Sequence, residues 1–114
     1  MKDLKNLNIR EEEKEALHEL KEILLKNFPL AKLVLYGSKA REDFDRESDI
    51  DILVILKGKV DDSIREKIFS LSYEIELKYD VIFGILVEPE DFWDSPLAES
   101  MPIHWSIDKE GIVV

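Results

Sequence analysis

The stretch Leu33-Val-Leu-Tyr-Gly-Ser38 and the stretch Ser48-Asp-Ile-Asp-Ile-Leu-Val54 decide the fold. The first belongs to a short apolar run that ends at a glycine, which predicts a strand over Leu30–Tyr36 and a sharp turn at Gly37. The second predicts a strand over Asp49–Leu56 that starts at an exposed rim and continues into a covered sheet. The segment between them, Lys39 to Glu47, is crowded with charge and cannot be core.

The remaining chain alternates helices with one more strand. Apolar residues at three- and four-residue steps predict an amphipathic helix from about Asn8 to Asn27 and a second from Asp61 to near Lys78. Tyr79–Val87 is predicted as a third strand with an acid, Asp80, near its start, and Gly111 as a helix C-cap before a final apolar run. This order predicts an α/β (α+β) fold: a small mixed sheet covered by helices, in one domain spanning 1–114.

Composition excludes several functional classes. The 114 residues include no cysteine, which rules out a disulfide framework, a thiolate zinc site and a cysteine nucleophile. The apolar runs are too short to span a membrane, and the N-terminus has no apolar signal region, so we expect a cytoplasmic protein that binds no membrane. The net charge of -10 argues against direct nucleic-acid binding, because that affinity requires a basic surface.

Two motifs carry candidate chemistry. Gly37 at a strand end lets the backbone turn closely around an anion, and Ser38 adds a hydroxyl donor. Asp49 and Asp51 are two residues apart on a strand, so their carboxylates project to the same side. Paired carboxylates repel unless a divalent cation relieves them, and oxygen ligands favour Mg²⁺ or Mn²⁺. If the third strand lies beside the second, Asp80 joins them in a site suited to two-metal phosphoryl or nucleotidyl transfer.

The run Gly37-Ser-Lys-Ala-Arg-Glu42, together with Ser48-Asp-Ile-Asp-Ile-Leu-Val54, resembles the nucleotidyltransferase signature of the DNA polymerase β superfamily, in its minimal nucleotidyltransferase branch. The resemblance covers nearly the whole chain. It includes the leading helix, the strand with Tyr79-Asp80-Val81 and the ending from Ile107 to Ile112. It implies the polymerase β-like nucleotidyltransferase fold.

The resemblance also implies roles for five residues. Gly37 and Ser38 would hold the β- and γ-phosphates of a nucleoside triphosphate. Asp49 and Asp51 would ligate two Mg²⁺ ions, while Asp80 would complete the second metal site and help to deprotonate the acceptor hydroxyl. These are the expected catalytic and metal-binding residues.

Three residues of the intervening segment also match positions of the signature. Lys39 and Arg41 stand where the family usually carries basic residues, and the resemblance implies that they contact the triphosphate or the acceptor. Glu42 stands where the family commonly has glycine. A carboxylate there would lie near the polyphosphate or restrict the loop.

Small members of this branch are similar to antitoxins whose partners are helical HEPN ribonucleases, and some transfer AMP to a tyrosine of the partner. The resemblance therefore implies a Mg²⁺-dependent transfer of AMP from ATP to a hydroxyl of a basic, helical HEPN toxin. Two alternatives remain open: a catalytically silent module that neutralises the same partner by docking, and adenylyl transfer to a small molecule. The Asp-x-Asp of phosphatases and glycosyltransferases fits less well, because it follows an apolar strand there and precedes one here.

Overall fold

The computed structural model describes residues 4–42 and 48–114. Its elements, in chain order, are a 3₁₀ turn at Leu4–Asn6, α1 (Glu11–Asn27), β1 (Lys32–Tyr36), α2 (Gly37–Arg41), β2 (Ile50–Leu56), α3 (Asp62–Tyr79), β3 (Phe83–Pro89), α4 (Glu90–Trp93), α5 (Pro96–Glu99), α6 (Pro102–Glu110) and β4 (Ile112–Val113). Within these ranges no helix is long and apolar enough to cross a membrane. The α/β class with a small mixed sheet is confirmed.

The four strands form one sheet in the order β3-β2-β1-β4. The β1–β2 and β1–β4 pairs are antiparallel, whereas β2 and β3 run parallel and are connected through α3. In this register Asp51 of β2 lies opposite Tyr36 on one side and Gly84 on the other. The end of β1 and the starts of β2 and β3 therefore meet at one edge of the sheet.

Each face of the sheet is covered by helices, which explains the nearly continuous apolar sequence of β2. Ile50, Ile52 and Val54 belong to the main core cluster, which also contains the inner faces of α1 and α3. Leu53 and Ile55 face the opposite side and form a second, smaller cluster that includes residues of α4 and α6. Asp51 shares its direction with this second set, because side chains alternate along a strand.

The third strand starts later than the sequence predicts. Helix α3 continues through Tyr79, and Asp80 is its C-cap in the left-handed conformation, with φ 54°. Strand β3 begins only at Phe83. Asp80 is therefore a helix cap and not a strand residue, since an aspartate tolerates the left-handed conformation that ends a helix better than most side chains do.

Helices α1 and α3 are joined at the surface by a three-residue cluster. The Lys78 ammonium donates to the Glu19 carboxylate, and the Tyr79 hydroxyl donates to the same oxygen at 2.9 Å. The hydrogen bonds from Lys78 and then Tyr79 lower the pKa of Glu19. The contact with Glu19 raises the pKa of both Lys78 and Tyr79.

We expect Glu19→Gln to reduce the loss of stability that the wild type shows as the pH falls below neutral. Because the pKa of Glu19 is depressed, its contribution is present above the ordinary value of 4.5 and is lost as the pH falls through the folded-state value. The effect is small because the cluster is exposed. Urea midpoints between pH 3 and 7 test this, with Glu12→Gln as a charge-matched control on the same helix; equal slopes for the two variants would contradict it.

Candidate active site

The Asp51 carboxylate occupies a space that two glycines leave free. A β-carbon at Gly37 would collide with Oδ2 of Asp51, and one at Gly84 would lie 2.6 Å from Oδ1. Gly37 also has a φ of +75°, a conformation that L side chains rarely adopt. The carboxylate is thus held between the backbones of β3 and of the turn after β1.

Gly84 is a site residue that the sequence reasoning missed. It lies within β3, directly opposite Asp51 in the parallel register. The available signal was a glycine inside an otherwise apolar strand, which marks a close approach of another group. Gly37 was recognised, but as a turn residue for an anion, whereas the structure also places it against a carboxylate.

The surroundings of Asp51 disfavour the ionised form of its carboxyl group. Burial is the main reason that the pKa of Asp51 is raised, and the negative charge of Asp49 raises it further, while the Arg41 guanidinium acts in the opposite direction. Burial raises the pKa of the Tyr36 hydroxyl, and the negative charge of Asp51 raises it further. Asp49 itself is exposed at the rim. The predicted pair of like charges is therefore present.

A pair of carboxylates with these properties fits Mg²⁺. This ion is usually bound through one or two carboxylates together with substrate phosphates, and it retains several waters. Asp51 and Asp49 supply only oxygen donors, and a cation would relieve the repulsion that raises the pKa of Asp51. In the parts of the chain that the structure describes, no group of three His, Asp or Glu side chains is suited to hold a metal.

The structure does not bring Asp80 to this pair. Asp80 ends α3 three residues before β3 begins, and the β3 residue that faces Asp51 is Gly84. Asp80 lines a cavity with Glu13 of α1, with Ser48 and with Ile50, whose side chain belongs to the α1 side of the sheet. The expectation of three carboxylates on one face is not met, because the helix extends through the residues predicted to begin the strand.

Lys39 points into the protein. Its side chain is 1% exposed and forms an ion pair with Glu13, which is 2% exposed, at 2.7 Å. The other oxygen of Glu13 accepts the backbone N–H of Arg10 at 3.0 Å, which caps the start of α1. Lys39 is therefore buried as a structural cation between α2 and α1, and the expected contact with a triphosphate is not available to it.

The other residues of the α2 segment lie closer to the surface. Arg41 is exposed and pairs with Glu110 of α6 at 2.9 Å, and its positive charge also acts on Asp51. Ser38 is half-buried in the first turn of α2. Glu42 adopts a left-handed conformation with φ 63°, and its carboxylate accepts the backbone N–H of Asn8 at 2.8 Å. The left-handed conformation explains why a glycine suits this position.

Comparisons with known proteins identify the family of this chain. The family model described as a nucleotidyltransferase domain matches residues 17–105. A protein of Methanocaldococcus jannaschii provisionally named a protein adenylyltransferase is 35% identical over 85 residues, which are 75% of this chain and 78% of that protein. A second protein of that organism with the same kind of name is 34% identical over 58 residues, 51% of this chain and 59% of its own.

Two solved structures share the fold. A toxin-antitoxin crystal structure with AMP-PNP superposes with a TM-score of 0.60 and 18% identity, covering 84% of this chain and 69% of the other. A provisionally assigned nucleotidyltransferase from Sulfolobus solfataricus gives a TM-score of 0.50 and 21% identity, covering 93% and 87%. The family match covers most of the chain and includes the glycine turn and the Asp49–Asp51 pair. This chain belongs to the nucleotidyltransferase domain family.

Proposed function

We propose that this nucleotidyltransferase transfers AMP from ATP to a protein hydroxyl and that Asp49 and Asp51 hold the Mg²⁺ ions of the reaction. The observation that carries this proposal is the Asp51 carboxylate, held between Gly37 and Gly84 beside a second carboxylate. A half-buried acid with an adjacent like charge is costly to stability, and such groups are concentrated at sites of catalysis. The names of the two archaeal relatives support adenylyl transfer as the reaction.

The chemistry is a displacement at the α-phosphorus. The acceptor oxygen forms a bond to that phosphorus, the bond to the bridging oxygen of the β-phosphate breaks, pyrophosphate leaves, and the acceptor proton passes to solvent. Bound Mg²⁺ would neutralise the triphosphate and lower the pKa of the attacking hydroxyl. Asp51 and Asp49 would orient these charges, and Ser38 and the turn at Gly37 would contact the phosphates, as the resemblance implies.

The partner we propose is a helical HEPN ribonuclease toxin, with a tyrosine as the acceptor, in the cytoplasm where ATP is available. The fold shared with a chain from a toxin-antitoxin complex that contains AMP-PNP supports a toxin partner. Arg41 and Glu110, which lie on α2 and α6, would border the opening to the acceptor, because the Arg41 charge acts on Asp51.

Label transfer tests the proposed reaction. The protein is incubated with Mg²⁺, a HEPN protein as the proposed partner, and ATP labelled at either the α- or the γ-phosphate. We expect α-label, and not γ-label, to remain on the partner after denaturation and to disappear with EDTA or when its acceptor tyrosine is changed to phenylalanine. Transfer of γ-label would contradict adenylyl transfer, and α-label that survives the tyrosine change would contradict that acceptor.

A second candidate function is a silent module that neutralises the same partner by docking alone. The observation that favours it is the position of Asp80, which leaves only two carboxylates together in the described residues. The two functions differ in one result. If an Asp51→Asn variant inhibits the partner as fully as the wild type, and no α-label is ever transferred, docking is the function.

We expect Gly84→Ala to lower adenylyl transfer by roughly tenfold to 100-fold with a smaller effect on stability. Gly84 has an ordinary strand conformation, so the added methyl group is disfavoured only by its approach to Oδ1 of Asp51. That approach would displace the carboxylate by a fraction of an ångström. Steady-state rates and thermal midpoints measure the effect. Gly58→Ala is the control for the rate: nothing lies within 4 Å of its added β-carbon, and its φ of +85° is expected to lower the thermal midpoint without lowering the rate. An unchanged rate in Gly84→Ala would contradict the proposed geometry.

A further inference from the structure

The outer face of α3 carries an apolar stripe formed by Phe69, Tyr73 and Leu77. These side chains are 46%, 57% and 66% exposed. Steps of four residues place them on one side of the helix. The side that packs on the sheet is a different one, and its buried residues are Ile68, Ser72 and Ile75. A helix that already buries one face needs no second row of large apolar residues for folding.

The neighbouring sheet edge is closed, so a strand is a poor occupant of this region. Glu76 of α3 accepts the backbone N–H of Phe83 at 2.8 Å, and Arg65 donates to the carbonyl of Val87 at 3.5 Å. These two contacts occupy backbone groups at both ends of edge strand β3, which hinders the addition of another strand. The stripe beside them fits the apolar face of a helix instead.

The acidic side chains around the stripe favour a basic helix as its partner. The exposed acids Glu66 and Glu74 each stand three residues before a member of the stripe, and Asp80 follows its end. Two of the three bases of α3 lie on the side of α1, where Lys78 contacts Glu19 and Lys67 lies over the ring of Phe28. The third, Arg65, stands one turn before Phe69 and donates to the carbonyl of Val87, so the acids around the stripe outnumber the bases. A second copy of this chain would bring carboxylates against carboxylates, whereas a basic helix would complement them.

We propose that the stripe on α3 is the docking surface for a helix of the protein partner, with apolar residues flanked by lysine or arginine. This inference rests on the proposed function, because that partner supplies the acceptor hydroxyl. The C-terminal end of α3 leads directly into β3, whose Gly84 faces Asp51. Helix α3 covers the face of the sheet opposite Asp51, but its C-terminal end lies at the same end of the strands. A helix that docks along α3 therefore brings its protein to the end of the sheet that carries the site.

The first test uses a synthetic helical peptide with leucine at four-residue steps flanked by lysines. In ¹⁵N-resolved NMR titrations we expect saturable shifts at Phe69, Tyr73 and Leu77, and an affinity that falls about tenfold or more in the double variant Tyr73→Ser, Leu77→Ser. The matched control is Leu97→Ser, Trp105→Ser, which removes residues of similar exposure (68% and 62%) and should bind as the wild type does.

Several results of this titration would overturn the proposal. Shifts centred on Trp105, or on Ile23 and Leu71 in the groove between α1 and α3, would place the surface elsewhere. Equal binding of a peptide with glutamates in place of the lysines would exclude the charge argument. Sedimentation that shows a dimer of the free protein, abolished by the double variant, would assign the stripe to a second copy.

The second test separates docking from catalysis with the HEPN protein itself. We expect Tyr73→Ser, Leu77→Ser to lose at least about tenfold in transfer of α-label while it binds an ATP analogue with Mg²⁺ as the wild type does. We expect Asp51→Asn to lose label transfer and to keep the peptide affinity. If wild type and stripe variant label the HEPN protein equally, the docking surface is wrong; if neither Asp51→Asn nor EDTA affects labelling, the proposed function is wrong instead.

Discussion

Asp51→Asn is expected to lower adenylyl transfer by roughly 1000-fold or more, because it removes a carboxylate that we propose as a ligand of Mg²⁺, which would act where negative charge develops on the triphosphate. The same change is expected to leave the fold intact and, without Mg²⁺, to raise the thermal midpoint. The reason is that burial and the charge of Asp49 both disfavour ionised Asp51 in the folded protein. Loss of activity combined with a gain in stability is typical of a functional residue.

Asp80→Asn is the matched control for that experiment. It also neutralises one aspartate near the start of a strand, but Asp80 is exposed and caps α3 away from Asp51. We expect its rate to stay within about twofold of the wild type, since it touches no reacting group. Initial rates of α-label transfer and thermal scans in EDTA measure both variants. An Asp80→Asn variant as inactive as Asp51→Asn would contradict the assignment of catalysis to the Asp49–Asp51 pair alone.

Glu13→Ala is expected to destabilise the protein by about 3–5 kcal/mol, the usual cost of removing one member of a buried ion pair. Glu13 and Lys39 are both almost fully buried and lie 2.7 Å apart. The same carboxylate accepts the N–H of Arg10 at the start of α1. The substitution therefore removes a helix cap and leaves the Lys39 ammonium buried beside α1. Equilibrium unfolding in urea measures the change.

The double variant Glu13→Leu, Lys39→Met shows whether the ion pair is the cause. Apolar side chains of similar volume often replace a buried pair at little cost, so we expect the double variant to recover most of the stability that Glu13→Ala loses. Because Lys39 is not assigned to the nucleotide, the double variant should also keep its transfer rate within a few-fold. A double variant that folds well but has lost all transfer would return Lys39 to the active site.

The parts of the fold that the sequence predicts are those set by periodic patterns. The apolar steps in α1 and α3, and the apolar runs of β1 and β2, locate each element to within a few residues. The Asp49–Asp51 pair was also visible, because residues two apart on a strand share a face whatever the strand pairs with. These features depend only on neighbours in the sequence.

The features that the sequence did not predict depend on tertiary contacts. Asp80 precedes an apolar run, which is typical of a strand start, but α3 had enough helix-forming residues to continue through Tyr79. Lys39 stands in a charged segment and reads as a surface residue until Glu13, 26 positions earlier in the chain, is seen to pair with it. Gly84 can be recognised as a site residue only from the pairing of β3 with β2, which places it opposite Asp51. Each of these required the sheet register or a helix contact.

The most direct test of the account is the binding of a non-hydrolysable ATP analogue, measured by calorimetry with Mg²⁺ and with EDTA, since it needs no acceptor protein. We predict that the wild type binds the analogue with Mg²⁺ at least about tenfold more tightly than with EDTA, and that Asp51→Asn abolishes this difference. Asp80→Asn should retain it. Equal affinity in Mg²⁺ and EDTA, or a Mg²⁺ effect that survives in Asp49→Asn, Asp51→Asn, would contradict the claim that this pair holds the metal and the nucleotide.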